Sequence, residues 1–330
     1  MSDLLSRGEI GLQIITLLIS GITSTLGLLR KHFECCYAKE QVETYCMRQF
    51  FLVVLAATFA IAATPAFPDE VTAATHRLYD VHGTRLYVET FGDGMPIVFL
   101  HGGLHFFDNS FQLQRDYFAS FRKVIGIDQR GHGHSPDNSR PFSYREMAED
   151  TASLIALLGV GPVDIVGHSD GGNVALLLAR YHPEVIRRVV ISGANLRGLP
   201  ADEWQRRSQW SPQQIKEKVQ QLSDRLPPDF RTDYQSVTPD GSEYWWAHLT
   251  KSYQLWLTHV VIETVELKAI KTPVLVMAGD HDLTSIEETV EIYRGLPQGQ
   301  LLILPATGHG TFSERPAQVN LAIREFFARP

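Results

Sequence analysis

The chain has 330 residues, of which 44% are hydrophobic and 20% charged, with a formal net charge of −7. That length holds one large domain or two small ones, and the composition argues against a disordered chain or a multi-span membrane protein. A mildly acidic chain without a basic run also argues against nucleic acid as a partner.

The N-terminus differs from the remainder of the chain. Ile10 to Leu29 carries no charge and is followed by Arg30 and Lys31, which meets the length of a membrane-spanning helix candidate. A further apolar run from Phe50 to Ala63 follows Met47-Arg48 and leads to small residues at Thr64 and Ala66. A short basic stretch, an apolar stretch and a small-residue cleavage region are the parts of a secretory signal peptide. The expectation is therefore translation from Met47, cleavage after Ala62 or Ala66, and export to the periplasm or the medium. Residues 1–46 are then an upstream extension and 47–66 the signal-like segment. The rival expectation is a membrane anchor at residues 10–29, so membrane contact is expected only through the N-terminal segment, if it is retained. Cys35, Cys36 and Cys46 all precede Met47, so the remainder needs no disulfide in any compartment. The first 66 residues carry five basic and five acidic side chains, leaving the whole −7 to the remainder.

From residue 77 the pattern becomes regular. Arg77 to Val81 and Arg85 to Glu89 flank His82-Gly83-Thr84 as a hairpin. Short runs rich in Val, Ile and Leu then recur at 96–100, 123–127, 163–166, 189–192, 274–278 and 300–304, as strands buried on both faces do. Between them, Ser143 to Glu146 and Ser285 to Glu288 fit capping boxes, and Pro316 suits the first turn of a last helix ending near Ala328. Alternating strands and helices predict an α/β fold, a mostly parallel sheet flanked by helices, with its site at the carboxyl ends of the strands.

About eighty residues interrupt the alternation after Ser192, far more than an ordinary connection. All five tryptophans fall there, at 204, 210, 245, 246 and 256, with helix-like stretches at Pro212 to Leu226 and Ser242 to Val265. The expected organisation is a core of 67–196 and 269–330 with a helical cap insertion at 197–268. The aromatics either fill the cap's own core or line an apolar pocket beneath it.

The run Val163 to Val166 leads into Gly167-His168-Ser169-Asp170-Gly171-Gly172 and then an apolar helical stretch. A nucleophile elbow puts Ser on a tight strand-to-helix turn, where small flanking residues avoid collision with neighbouring backbone. Serine then needs a base, and the base a carboxylate to hold its tautomer. The chain order at such an elbow is Ser, acid, His, each after a strand, which selects Ser169, Asp282 and His309. Asp280 is the rival acid, expected to shape its turn, and His281 the rival base. Oxyanion donors are expected from the Asp170 N–H and from the loop His101-Gly102-Gly103-Leu104, with Gly103 first and Leu104 as the fallback. Two roles stay open for the Asp170 carboxylate: attracting a cationic substrate group, or bonding the helix or cap. Leu104, His168, Trp245 and Trp246 are the candidate substrate contacts.

The His101-Gly102-Gly103 loop, Asp128-Gln129-Arg130-Gly131-His132-Gly133-His134-Ser135, the elbow, Gly279-Asp280-His281-Asp282 and Gly308-His309 together resemble the α/β-hydrolase superfamily over residues 77–330. Within it, Gly-His-Ser-Asp-Gly-Gly and Ser192-Gly193-Ala194-Asn195 are most similar to valacyclovir-hydrolase-like and related small-molecule carboxylesterases. Ser169 departs from the haloalkane dehalogenases and epoxide hydrolases, which carry Asp there. The Gly-Gly-Pro-Gly of proline iminopeptidases is absent after His101. The resemblance implies that His101 and His168 serve loop hydrogen bonding. Asp128 and Arg130 are expected to brace their loop rather than join His132 and His134 at a metal, since no zinc-like spacing is present. No cofactor is expected. The reading is a serine hydrolase of a small-molecule ester, lactone or amino-acid ester acting through an acyl-enzyme. Acyl transfer, perhydrolysis, cofactor-free lysis or ligand binding alone use the same residues.

Overall fold

The computed structural model describes residues 75–329. The expected extension or anchor within 1–46 and the signal-like segment 47–66 lie outside the described residues. Strands β1 (Thr75–Val81) and β2 (Thr84–Phe91) form the antiparallel hairpin, and β2 pairs antiparallel with β4 (Lys123–Asp128). The other strands are β3 (Pro96–Leu100), β5 (Val163–His168), β6 (Ile186–Ser192), β7 (Val274–Gly279) and β8 (Gly299–Leu304), all paired in parallel. The eight-stranded order is β1-β2-β4-β3-β5-β6-β7-β8.

Strands β3 to β7 are buried on both faces, which explains why they read as continuous apolar runs, whereas β2 alternates and β1 and β8 lie largely exposed or half-buried at the sheet edges. In β3, Val98 and Leu100 point to one face, with α2 (Tyr144–Leu158), α3 (Asp170–Tyr181) and α9 (Ile286–Gly295). Ile97 and Phe99 point to the other, with α1 (Phe107–Phe118), α10 (Thr311–Glu314) and α11 (Pro316–Ala328). Ser143 and Ser285 cap α2 and α9 by accepting from the Glu146 and Glu288 N–H groups. The glutamate side chains bond elsewhere: Glu146 accepts from Arg130 at 2.9 Å, and Glu288 from the Leu196 N–H at 2.8 Å. These ties fasten the loop after β4 and the segment after β6.

Between β6 and β7 lie α4 (Ala201–Arg207), α5 (Pro212–Ser223), α6 (Pro228–Val237), α7 (Trp245–Trp256) and α8 (Thr264–Leu267). The expected long helix to Val265 stops at Trp256. Beyond it a stretch rich in β-branched residues leaves the helix, and Val261 donates its N–H to Leu196 O at 2.8 Å; such residues lose rotamer freedom in a helix. Leu104, Val219, Tyr234, Trp245 and Leu249 make the core of this insertion. Lys251 of α7 forms an ion pair with Asp137 of the loop after β4, and Tyr244 donates to the same carboxylate. No helix among the described residues is long and apolar enough to cross a membrane.

Phe99 is fully buried with ring centroids 5.0–6.2 Å from Phe107, Phe111 and Phe118. Truncating it opens a cavity the sheet cannot close. Phe99→Ala is expected to lower the unfolding free energy by about 3–5 kcal/mol in urea titration, and Phe99→Leu by visibly less.

Candidate active site

Ser169 stands between β5 and α3 with φ +53° and ψ −118°, a conformation costly for a residue with a Cβ. The turn persists because everything around it makes room. A Cβ on Gly167 would lie 2.3 Å from Gly171 O, and one on Gly171 would lie 2.0 Å from Leu100 O, both inside the closest real approach. Three backbone bonds pin the serine: its N–H donates to Ser192 O at 2.8 Å, and its carbonyl accepts from Gly172 at 2.8 Å and Asn173 at 3.1 Å.

The sequence-selected triad comes together. Ser169 Oγ lies 2.9 Å from His309 Nε2, and His309 Nδ1 lies 2.6 Å from Asp282 Oδ1. With the imidazole proton on Nδ1, His309 donates to the carboxylate and Nε2 accepts from the serine hydroxyl. The Asp282 side chain is fully buried. Burial pushes its carboxyl up, but the bond and charge of His309 and the Thr284 and Gly279 N–H groups outweigh it, leaving it below the usual carboxylate range. It therefore stays ionised where an orienting anion is needed. Asp280, the rival acid, accepts the Thr307 N–H at 3.0 Å, and its neighbour His281 is largely solvent-exposed; neither approaches Ser169.

His168 donates from Nε2 to the His309 carbonyl at 2.8 Å, so it braces the base's loop. Burial, then the His309 charge, pushes its pKa down to about 3, and it remains neutral. His101 likewise holds backbone: its Nδ1 donates to Gly102 O at 2.8 Å and its Nε2 accepts the Gln129 N–H at 2.9 Å. Asp128 accepts from the Phe107 and His134 N–H groups, and Arg130 pairs with buried Asp150 at 2.6 Å. These bonds hold the two loops flanking the elbow.

On the oxyanion side, Gly102 and Gly103 run alongside Ser169 and Asp170. A Cβ on Gly102 would sit 3.2 Å from Ser169 Cβ, and one on Gly103 2.5 Å from Asp170 Oδ2. Asp170 is the first residue of α3, so its N–H has no acceptor within the helix. The Asp170 carboxylate has both oxygens engaged: Oδ1 accepts from Tyr144 OH at 2.7 Å and Oδ2 from Trp256 Nε1 at 2.9 Å. Burial raises its pKa, and those two bonds oppose the rise. Of its two open roles, the structure shows the tie to the cap.

The structure also places the candidate substrate contacts. Trp245 is 1% exposed and fills the insertion's own core; Leu104 packs into the same cluster, and Trp246 lies half-buried against it beneath Arg231. Among the described residues none of the three makes a hydrogen bond or ring contact with Ser169, Asp282 or His309. The indole that reaches the elbow is Trp256, whose ring would touch a Cβ on Gly103 at 2.7 Å. Tryptophan content alone did not separate these positions, because which face of α7 turns inward depends on the packing of α5 and α6. Gly193 was also missed as a site residue: at φ +65°, a Cβ there would stand 2.7 Å from His309 Cε1. Its place directly after a strand end was the available signal.

A family model described as the alpha/beta hydrolase family matches residues 97–322. The chain is 26% identical over 263 residues to the AB hydrolase superfamily protein YisY of Bacillus subtilis, covering 73% of this chain and 94% of that one. It is 28% identical over 249 residues to the sn-1-specific diacylglycerol lipase ABHD11 of Mus musculus, covering 70% and 80%. A thermophilic esterase from Thermogutta terrifontis has a similar fold, with TM-score 0.59 and 23% identity over 78% of this chain and 98% of that one.

Trp256→Phe keeps the ring but removes the N–H bonded to Asp170. It is expected to lower the unfolding free energy by about 1–3 kcal/mol, read from the urea midpoint; an unchanged midpoint means the Asp170 carboxylate is solvated instead.

Proposed function

Since the chain belongs to the alpha/beta hydrolase family, we propose that it is a serine hydrolase cleaving a small-molecule carboxylic ester through an acyl-enzyme. The observation that carries this reading is the continuous line from Asp282 Oδ1 through His309 to Ser169 Oγ, with bonds of 2.6 and 2.9 Å. His309 takes the serine proton as Oγ attacks the ester carbonyl, and the buried Asp282 carboxylate stabilises the imidazolium that forms. The oxygen that becomes negative is held by the N–H groups of Gly103 and Asp170. His309 then protonates the leaving alcohol. Water repeats the steps on the acyl-enzyme and releases the acid.

The engagement of both Asp170 oxygens supports an uncharged ester centre over an amino-acid ester, since a cationic group would have to displace Tyr144 or Trp256. The mouse relative carries a lipase name, which supports ester chemistry at this centre. The signal-like segment starting at Met47 supports action outside the cytoplasm, and N-terminal sequencing of the exported product is expected to begin near residue 63 or 67.

Mixed with p-nitrophenyl butyrate, the protein is expected to give a burst of nitrophenolate near one equivalent before steady turnover, and Ser169→Ala is expected to give none. Asp282→Asn is expected to lower kcat by about 10³–10⁴-fold, the scale of losing the carboxylate that sets the base's tautomer. Unaltered turnover in Ser169→Ala removes the reading.

A further inference from the structure

The cap insertion holds a cavity of about 550 Å³ between α4, α5 and α7, a size typical of small-molecule sites. Its charge is one-sided. Arg206, Arg207, Lys218 and Arg225 line it against the single carboxylate of Glu203, in a chain whose net charge is −7. Glu203 is engaged by Arg207 in an ion pair. Arg206 has only Asp202 at 3.5 Å, both side chains largely in water. Lys218 donates to the neutral amide of Gln221 at 3.1 Å, and the Arg225 side chain has no ion pair or hydrogen bond among the described residues. Three cations therefore face one cavity without a buried counter-charge.

Its walls add a flat apolar surface. Arg207 and Lys218 both lie over the Trp210 ring, 5.3 and 5.9 Å from its centroid, and Tyr253 lines the side towards α7. Tyr253 stands three residues before Trp256 on that helix, about 4.5 Å of rise. Trp256 in turn lies against Gly103 and bonds Asp170. The same helical turn thus borders both the cationic cavity and the oxyanion loop.

We propose that this cavity is an anion-recognition subsite of the ester substrate, taking a carboxylate or phosphate carried on a tail several bonds from the scissile carbonyl. Guanidinium and ammonium donors meet the anion, and the tail's apolar part lies on Trp210 and Tyr253. The inference rests on the reading of Ser169 as the nucleophile of an ester hydrolase, and extends it to the class of ester preferred.

The test pairs p-nitrophenyl monoesters of linear dicarboxylic acids with neutral p-nitrophenyl esters of equal chain length. The ratio of kcat/KM, anionic over neutral, is expected to rise with chain length once the carboxylate spans to the cavity, and to fall with added salt. Lys218→Gln with Arg225→Gln is expected to lower that ratio by about fivefold, the scale of two partly exposed charge contacts, and through KM. Both side chains are exposed on the cap surface, so folding is spared. Calorimetric binding of free suberate to Ser169→Ala, weakened by the same double substitution, reads the subsite without turnover. Ester hydrolysis with a ratio that the double variant leaves unmoved overturns the subsite and leaves the hydrolase reading standing. Absence of Ser169-dependent nitrophenolate release from every ester, with suberate binding still dependent on Lys218 and Arg225, overturns the hydrolase reading and retains the anion site.

Discussion

A serine held at φ +53° between a strand and a helix is the constraint on which the rest of this structure depends. The turn is unfavourable in isolation and persists because its surroundings over-determine it. A side chain at Gly167 or Gly171 would collide with neighbouring backbone, and the Ser169 N–H is taken by the end of β6. The parallel sheet is what makes that possible. With β3 on one side of β5 and β6 on the other, the oxyanion loop leaves on one flank, and the end of β6 supplies the acceptor for the serine N–H on the other. The large burial on both sheet faces offsets the strain at one residue.

The acid and the base are placed by the same logic two and three strands further on. Asp282 follows β7 and His309 follows β8, and neither loop would hold its side chain unaided. Gly193 after β6 leaves space for the imidazole, His168 ties the His309 carbonyl, and Asp280 ties the Thr307 amide. The rival acid thus serves the chosen base by shaping its loop. Two core carboxylates are among the ties that join the cap to this frame: Asp137 holds Lys251 and Tyr244, and Asp170 holds Trp256. The second tie couples the insertion to the residue that follows Ser169 and opens α3.

What was legible in the sequence was whatever depends on local pattern. The six apolar runs matched the parallel strands to within a few residues, because a short run of Val, Ile and Leu is recognisable without knowing which strands it pairs with. The elbow was legible from its glycines, and Asp282 and His309 from chain order after strands. Legibility stopped where position depends on packing between distant segments. The capping glutamates Glu146 and Glu288 turned to Arg130 and to the Leu196 amide rather than back to their own helices. Trp245 and Trp246 were indistinguishable in composition from Trp256, and only the seating of α7 on the elbow decides which indole meets Asp170. The cationic cavity could not be read at all, since Arg207, Lys218 and Arg225 are spread over two helices and the loops between them.

The central claim is that Ser169 is activated as a nucleophile by His309, and covalent trapping tests it most directly. A fluorophosphonate applied at neutral pH, followed by digestion and tandem mass spectrometry, should place a single adduct on Ser169, with labelling lost in His309→Ala. An adduct on another residue, or labelling of Ser169 that persists without His309, would contradict the account.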